Sequence, residues 1–449
     1  MSLDGRTLLW VFGLGTTAVA PFLPHGYHGQ VQRHREAYLS GSELLLSQTL
    51  AGATLLIAAA LLLGPVVRRL RSAAPALPEP GVQRPAGQVA LATALFVAAG
   101  IVSAALSEHG SMDPMDLFGV LLLAALYTGS QQSFPRLLGQ LRVILRCFIW
   151  GSLLSIAVMP ADWTFLAPGG ATTRDYLGTG WGQFMGLSGN PNVLGPLAAA
   201  ALALELCAVA RTRVWPLHAA AALSALVLTQ SRTAWLASAA VLLLHTGPRL
   251  RPAKRTLLVL GSVAAPLLLL LPWLHLRMIT AVSGVQDAAH QARGLAWRLA
   301  WEEFREAPLF GYGPSLFDPE HRTQLFGTAD HWIGQAHNQF LHTMGAAGVF
   351  GLLGLCALVA ALIVQARRTA AATKGLSAAL VAMLLVECAT ESPLRNLNGL
   401  SDRVLFAVVI WTVLVCRPPS EDRGRQRPAR SALPRPADPP LELPCPVSR

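Results

Sequence analysis

The sequence predicts an all-α integral membrane protein of about twelve spanning helices, and three observations carry that expectation. Hydrophobic residues fill 53% of the 449 positions and charged residues only 13%, against about 25% charged in a soluble domain. Mean hydropathy is +0.46. Apolar stretches of the roughly 17 to 25 residues that a bilayer requires recur along the chain, and basic residues cluster in alternate gaps between them. The net charge of +11 is therefore a matter of placement. No cluster of Lys and Arg interleaved with aromatic residues occurs, which sets nucleic acid aside.

The spans fall near 8–24, 44–64, 88–107, 115–130, 143–160, 186–209, 214–230, 232–246, 256–274, 338–365, 375–391 and 403–416. Arg6, the apolar run after it and Ala18-Val19-Ala20 resemble a cleaved leader, but with so many spans following they read as a retained first helix. The run 214–246 is too long for one span, and the polar break Thr229-Gln230-Ser231-Arg232-Thr233 divides it into a tight helical hairpin. If both termini are cytoplasmic, every short inner loop carries two or more basic residues, among them Arg68, Arg69, Arg136, Arg142, Arg146, Arg211, Arg213, Lys254, Arg367 and Arg368, as the positive-inside rule requires. The long outer segments are then 161–185 and 275–337. Residues 1–416 form one membrane domain, and the Pro- and Arg-rich tail 417–449 is a disordered cytoplasmic extension. The six cysteines are scattered, with no CxxC pair and no zinc or disulfide spacing.

Ionisable and polar residues beside the hydrocarbon layer are costly, so their clustering points to function. All the unusual ones fall on the expected outer side. From Arg293 to Glu306, Leu295, Leu299 and Phe304 alternate with charges at near-helical spacing, as in an amphipathic helix on the outer leaflet ended by Pro308. His337 opens a membrane helix facing the outer water layer. A neutral imidazole there suits a general base, and equally a helix cap. His331 and His342 do not share a helical face with it, so no metal site is expected. Arg232 at the hairpin turn offers a planar fork to a phosphate, or a snorkelling anchor. Glu387 and Glu391 lie one turn apart on the eleventh span with Arg395 one turn beyond, an arrangement that suits a structural salt bridge. Asn190 before Pro191 is a helix N-cap, with Asn192 in the first turn, and the backbone N–H groups there can hold an anion.

Together these residues resemble the O-antigen ligase and polymerase superfamily of bacterial membrane glycosyltransferases. The resemblance covers 170–415 and rests on Gly186-Leu187-Ser188-Gly189-Asn190-Pro191-Asn192, on Ser231-Arg232-Thr233, on Arg293 through Gly313, and on His337-Asn338 followed after nine residues by Gly348-Val349-Phe350-Gly351. It implies a GT-C-like fold in the bacterial inner membrane and transfer of a glycan from undecaprenyl diphosphate to an acceptor hydroxyl, in ligases a lipid A core sugar, without nucleotide sugar, metal or other cofactor. It places His337 as general base and Arg232 and Arg293 on the diphosphate, with Arg298 as the alternative loop arginine. Asn338, Asn192, Glu391 and Arg395 are supporting residues. The pattern departs at Trp297, where ligases carry leucine four residues after their arginine. Partners are then the lipid-linked donor, a glycolipid or glycan acceptor, and membrane lipids. A polymerase shares these motifs. A lipid-linked oligosaccharide flippase or secondary transporter shares the span count, but expects mid-membrane polar residues in both halves.

Overall fold

The computed structural model describes residues 84–107, 109, 133–159, 161–166, 177–178, 180–188, 190–207, 213–246, 288–317, 321, 334–395 and 402–416. The expected spans 8–24, 44–64, 115–130 and 256–274, parts of the two long loops and the tail lie outside them. Among the described residues the helices longer than one turn are α1 (Arg84–Leu106), α2 (Phe134–Val158), α3 (Pro191–Leu206), α4 (Trp215–Leu228), α5 (Arg232–Thr246), α6 (Ala288–Glu306), α7 (Gln339–Thr369), α8 (Leu376–Thr390) and α9 (Asp402–Val415). Of these α2, α7 and Gly87–Leu106 of α1 are long and apolar enough to cross a membrane, and α3, α4, α8 and Leu405–Val415 are shorter apolar helices. The all-α expectation has one small exception, a two-residue antiparallel ladder that pairs Phe165 with Phe184 and Leu166 with Gln183.

Helix α2 begins nine residues before the expected span. Pro135 sits in its first turn, and Leu137, Leu141, Leu145 and Phe148 form a buried stripe at helical spacing. Arg136, Arg142 and Arg146, expected in an inner loop, are therefore helical. Two of them are tolerated there because they reach the end of α3. The Arg146 fork donates to both carboxylate oxygens of Glu205 at 2.6 and 2.8 Å, and Arg142 donates to the Leu204 carbonyl at 2.9 Å, near the negative end of that helix.

Helix α3 is buried over most of its length. Asn190 caps it by accepting from Asn192 N–H at 2.8 Å, with Pro191 as its first residue. Gly195 lets α5 cross in close contact, since a Cβ there would stand 2.6 Å from the Ala234 methyl. The α4–α5 hairpin forms as expected, with the chain reversing at Gln230, whose φ is +51°. Trp411 of α9 donates its indole N–H to Thr93 of α1 at 2.9 Å, and Gln365 of α7 bonds the Leu414 carbonyl at 2.8 Å.

The bundle has two distinct ends. Asn190, Ser231, Asn338 and Glu391 mark one, and Glu205, Trp215, Thr369 and Leu376 mark the other. Residues expected on opposite sides of a membrane thus sort to opposite ends of the helices.

Helix α7 is broken at Gly348, with φ +61° and ψ −157°. The chain after α6 fills the break. Pro308 O and Leu309 O accept from Val349 and Phe350 N–H at 2.9 and 3.4 Å, while Tyr312 and Gly313 N–H donate to Gly345 and Ala346 O at 2.9 Å each. Backbone groups freed inside an apolar helix need such partners. Ser103 of α1 seals the junction through its hydroxyl, which donates to Phe310 O and, at 3.1 Å, to Ala346 O. The spacing of His337 to Gly348 therefore fixes where α6 is clasped onto α7.

Candidate active site

The site gathers where α3 begins, α7 begins and α8 ends. Asn338 caps α7, its side-chain oxygen accepting from Phe340 and Leu341 N–H at 3.0 and 3.1 Å. His337 immediately before it has φ +49°, a left-handed conformation costly for a residue with a Cβ. Three contacts hold it. The Asn338 cap is one, a 2.6 Å bond from the Trp297 indole N–H to Ala336 O is the second, and the third is Glu391. Trp297, the departure from the family pattern, is thus what ties α6 to the backbone beside His337.

Glu391 follows the last residue of α8 and is buried. Its Oε2 lies 2.9 Å from His337 Nδ1 and also accepts from Gln335 Nε2. Gln335 is oriented by Ser392, whose backbone N–H donates to its Oε1 at 3.2 Å, so its amide N–H₂ faces the carboxylate. A carboxylate accepts only, which favours the tautomer with its proton on Nδ1; the Gln335 amide nitrogen, 3.2 Å from that same Nδ1, then donates to Glu391 and not to the ring. No hydrogen bond engages Nε2 among the described residues. The other oxygen, Oε1, faces Arg293 Nη2 at 3.6 Å and Asn192 Nδ2 at 3.5 Å. One carboxylate therefore connects the start of α3, helix α6 and the His337 turn. An open cleft of about 360 Å³ adjoins it, lined by Asn192, Pro196, Gln335, Glu387, Ser392 and Phe406 among others.

Of the residues singled out in the sequence, His337, Arg293, Asn192 and Glu391 meet in direct contacts, and Asn338 positions His337. Arg232 is the first residue of α5, exposed at the same end of the bundle. Its turn is stitched to the 177–183 segment by Gln230, which donates to Gly182 O at 2.8 Å and accepts from Leu177 N–H at 3.2 Å. Arg298 is exposed on α6. Five residues from Arg293, it sits about 140° around the helix, away from the stripe of Ala296, Ala300 and Glu303 that faces inward. Arg395 lies in the turn after α8, its N–H bonded to Ser392 O at 3.3 Å. Gln335 was not singled out in the sequence. A polar residue two positions before His337, just ahead of a long apolar run, was the available signal.

A second polar cluster lies near the C-terminal end of α6. His321 Nε2 meets Glu303 Oε1 at 2.9 Å, Tyr312 packs on His321 with ring centroids 3.9 Å apart, and His109 stacks on Tyr312 at 4.4 Å. Burial raises the Glu303 carboxyl above its usual range and lowers the His321 imidazole. Among the described residues no group of three His, Cys, Asp or Glu side chains is placed to hold a metal ion.

Residues 217–356 match the family model described as O-antigen ligase. The match supports a likeness of this segment to the O-antigen ligase and polymerase superfamily. It takes in Arg232, α6, His337, Asn338 and the Gly348 break, and stops short of Asn192 and Glu391. No curated protein matches the chain. The family's members are glycosyltransferase-like enzymes, and together with the apolar helices the match makes this a multi-pass membrane protein.

Proposed function

We propose that the chain is an O-antigen ligase-like glycosyltransferase that moves a glycan from undecaprenyl diphosphate to an acceptor hydroxyl, a lipid A core sugar or its equivalent. The observation that carries this reading is the 2.9 Å contact between His337 Nδ1 and Glu391. It favours the tautomer that leaves Nε2 as a lone-pair acceptor, which is what a general base requires. The acceptor hydroxyl gives its proton to Nε2 as its oxygen bonds to the anomeric carbon. The bond from that carbon to the donor phosphate oxygen breaks, and the electron pair leaves with undecaprenyl diphosphate. Attack opposite the leaving group inverts the anomeric configuration. Arg293 and Arg232 stabilise the charge developing on the diphosphate in place of a metal ion. The spacing from His337-Asn338 to Gly348 and Gly351 favours a ligase over a polymerase, which would use a second lipid-linked repeat unit as acceptor.

In this reading residues 1–416 form a GT-C-like membrane domain of about twelve spans in the inner membrane, with both termini and the 417–449 tail in the cytoplasm. The His337 end of the bundle, with 161–185 and 275–337, faces the outer side. The two-ended sorting of polar residues supports that orientation.

The test of the diphosphate ligands is transfer by purified Arg232→Lys and Arg293→Lys proteins, with a chelator present. Lysine keeps the charge and loses the bidentate fork, so each variant should lose about 1.5 to 3 kcal/mol of a charge-assisted contact, roughly a ten- to hundredfold loss of transfer. Full activity in both would reduce the arginines to surface anchors.

A further inference from the structure

We infer that Glu391 is a positioning residue with two linked tasks: it holds His337 in its reactive tautomer, and it is the internal counter-ion of Arg293 until the donor diphosphate takes its place. The inference rests on the reading of Arg293 as a diphosphate ligand.

The two carboxylate oxygens divide the work. Oε2 is committed to the His337 side, with Nδ1 at 2.9 Å and the Gln335 amide on the same oxygen. Oε1 faces Arg293 and Asn192 at 3.6 and 3.5 Å, well beyond the roughly 2.7 to 2.9 Å of a tight charge-assisted bond. The Arg293 side chain is 39% exposed while that of Glu391 is 8% exposed. The carboxylate is therefore anchored on its imidazole side and only loosely paired on its guanidinium side. A loose, half-open ion pair is cheap to exchange. A diphosphate presents more negative charge and several oxygens to the same fork, so it displaces the carboxylate.

Exchange has a consequence for the base. While Arg293 sits against Oε1 it neutralises part of the charge that Glu391 presents to the imidazole. Once Arg293 turns to the diphosphate, the undiminished carboxylate acts on Nδ1–H, and Nε2 becomes the better proton acceptor. Seating the donor thus strengthens the base that the next step needs. Asn192 and Gln335 keep the carboxylate in place when the guanidinium has gone.

The test is Glu391→Gln in the purified full-length protein, which keeps size and shape, removes the charge and turns one acceptor oxygen into a donor. Inorganic pyrophosphate binding should tighten, by about two- to fivefold for a competing ion pair that is open on its guanidinium side. Transfer turnover should fall by about a hundredfold, the scale of a misdirected general base. Opposite movements of binding and turnover separate this role from a helix tie, whose loss leaves pyrophosphate binding unchanged or weaker, and either of those results overturns the inference. The tightening should vanish in Arg293→Ala/Glu391→Gln; its persistence there would also overturn it. If Glu391→Gln does not fold, Glu391→Asp keeps the charge but is too short to reach both partners. It should show the same tightening with reduced turnover, and unchanged binding would count against the inference. Pyrophosphate binding that ignores Arg293→Ala in the otherwise unaltered chain would instead refute the underlying assignment of Arg293.

Discussion

Gly348→Ala is the substitution whose cost the structure fixes most closely. Gly348 has φ +61° and ψ −157°, a region essentially reserved for glycine, and forcing a Cβ into it costs about 1 to 3 kcal/mol. That Cβ would also enter the clasp, standing 2.7 Å from Phe310 N with the Leu309 carbonyl closer still. The 308–310 segment must then withdraw, giving up the bonds from Val349 to Pro308 and from Phe350 to Leu309, at about 0.5 to 1.5 kcal/mol each. The combined loss is about 2 to 6 kcal/mol, a large fraction of the 5 to 15 kcal/mol that holds a typical protein folded. Because the clasp sets α6 against α7, Arg293 and Trp297 should also lose their register with His337. Thermal unfolding of the purified protein in detergent, followed by tryptophan fluorescence, measures the first effect, and glycan transfer measures the second. Gly100→Ala is the control, since its Cβ meets nothing within 4 Å in the middle of α1, and it should match the unaltered chain or exceed it by about 0.5 to 1 kcal/mol. A Gly348→Ala protein that melts and transfers normally would refute the clasp.

Two further outcomes follow from the same geometry. Trp297→Phe keeps the ring and removes the bond to Ala336 O, so stability should fall by about 1 kcal/mol and transfer should fall with it as the His337 turn loosens; normal transfer, measured beside thermal unfolding, would show that the bond does not position His337. Single cysteines introduced into 275–336 should react with an impermeant maleimide in intact spheroplasts and those in 365–374 should not, and the reverse pattern would place the His337 end in the cytoplasm.

Much of the helical frame was legible because hydropathy and caps are local. The polar break at Thr229–Arg232 marked the α4–α5 turn, and Asn190 marked a helix start that forms as a side-chain cap, whereas the cap of α7 is Asn338, one residue after the His337 that the sequence offered. Arg142 and Arg146 were misplaced in a loop because nothing local reveals that Glu205, 59 residues from Arg146, makes the second of them affordable inside a helix. The site was legible as a set of residues but not as a connection. Spacing along α8 pointed Glu391 toward Arg395, but nothing local pointed it to His337 and Gln335, which it meets across 54 and 56 residues of chain. The Gly348 break was equally hidden. Its motif was visible, but an apolar run gives no sign that another segment's backbone enters it.

The most direct measurement is single-turnover transfer by His337→Ala in the purified full-length protein, with undecaprenyl-diphosphate glycan as donor and a core-sugar acceptor, alongside its thermal unfolding and pyrophosphate binding. The account predicts a loss of about 10²- to 10⁴-fold in transfer, the usual contribution of a general base, with folding and pyrophosphate binding retained because His337 touches neither Arg293 nor Arg232 among the contacts described. Transfer within a fewfold of the unaltered protein, by a variant that folds and binds pyrophosphate normally, would contradict the assignment of His337 as the base and with it the proposed mechanism.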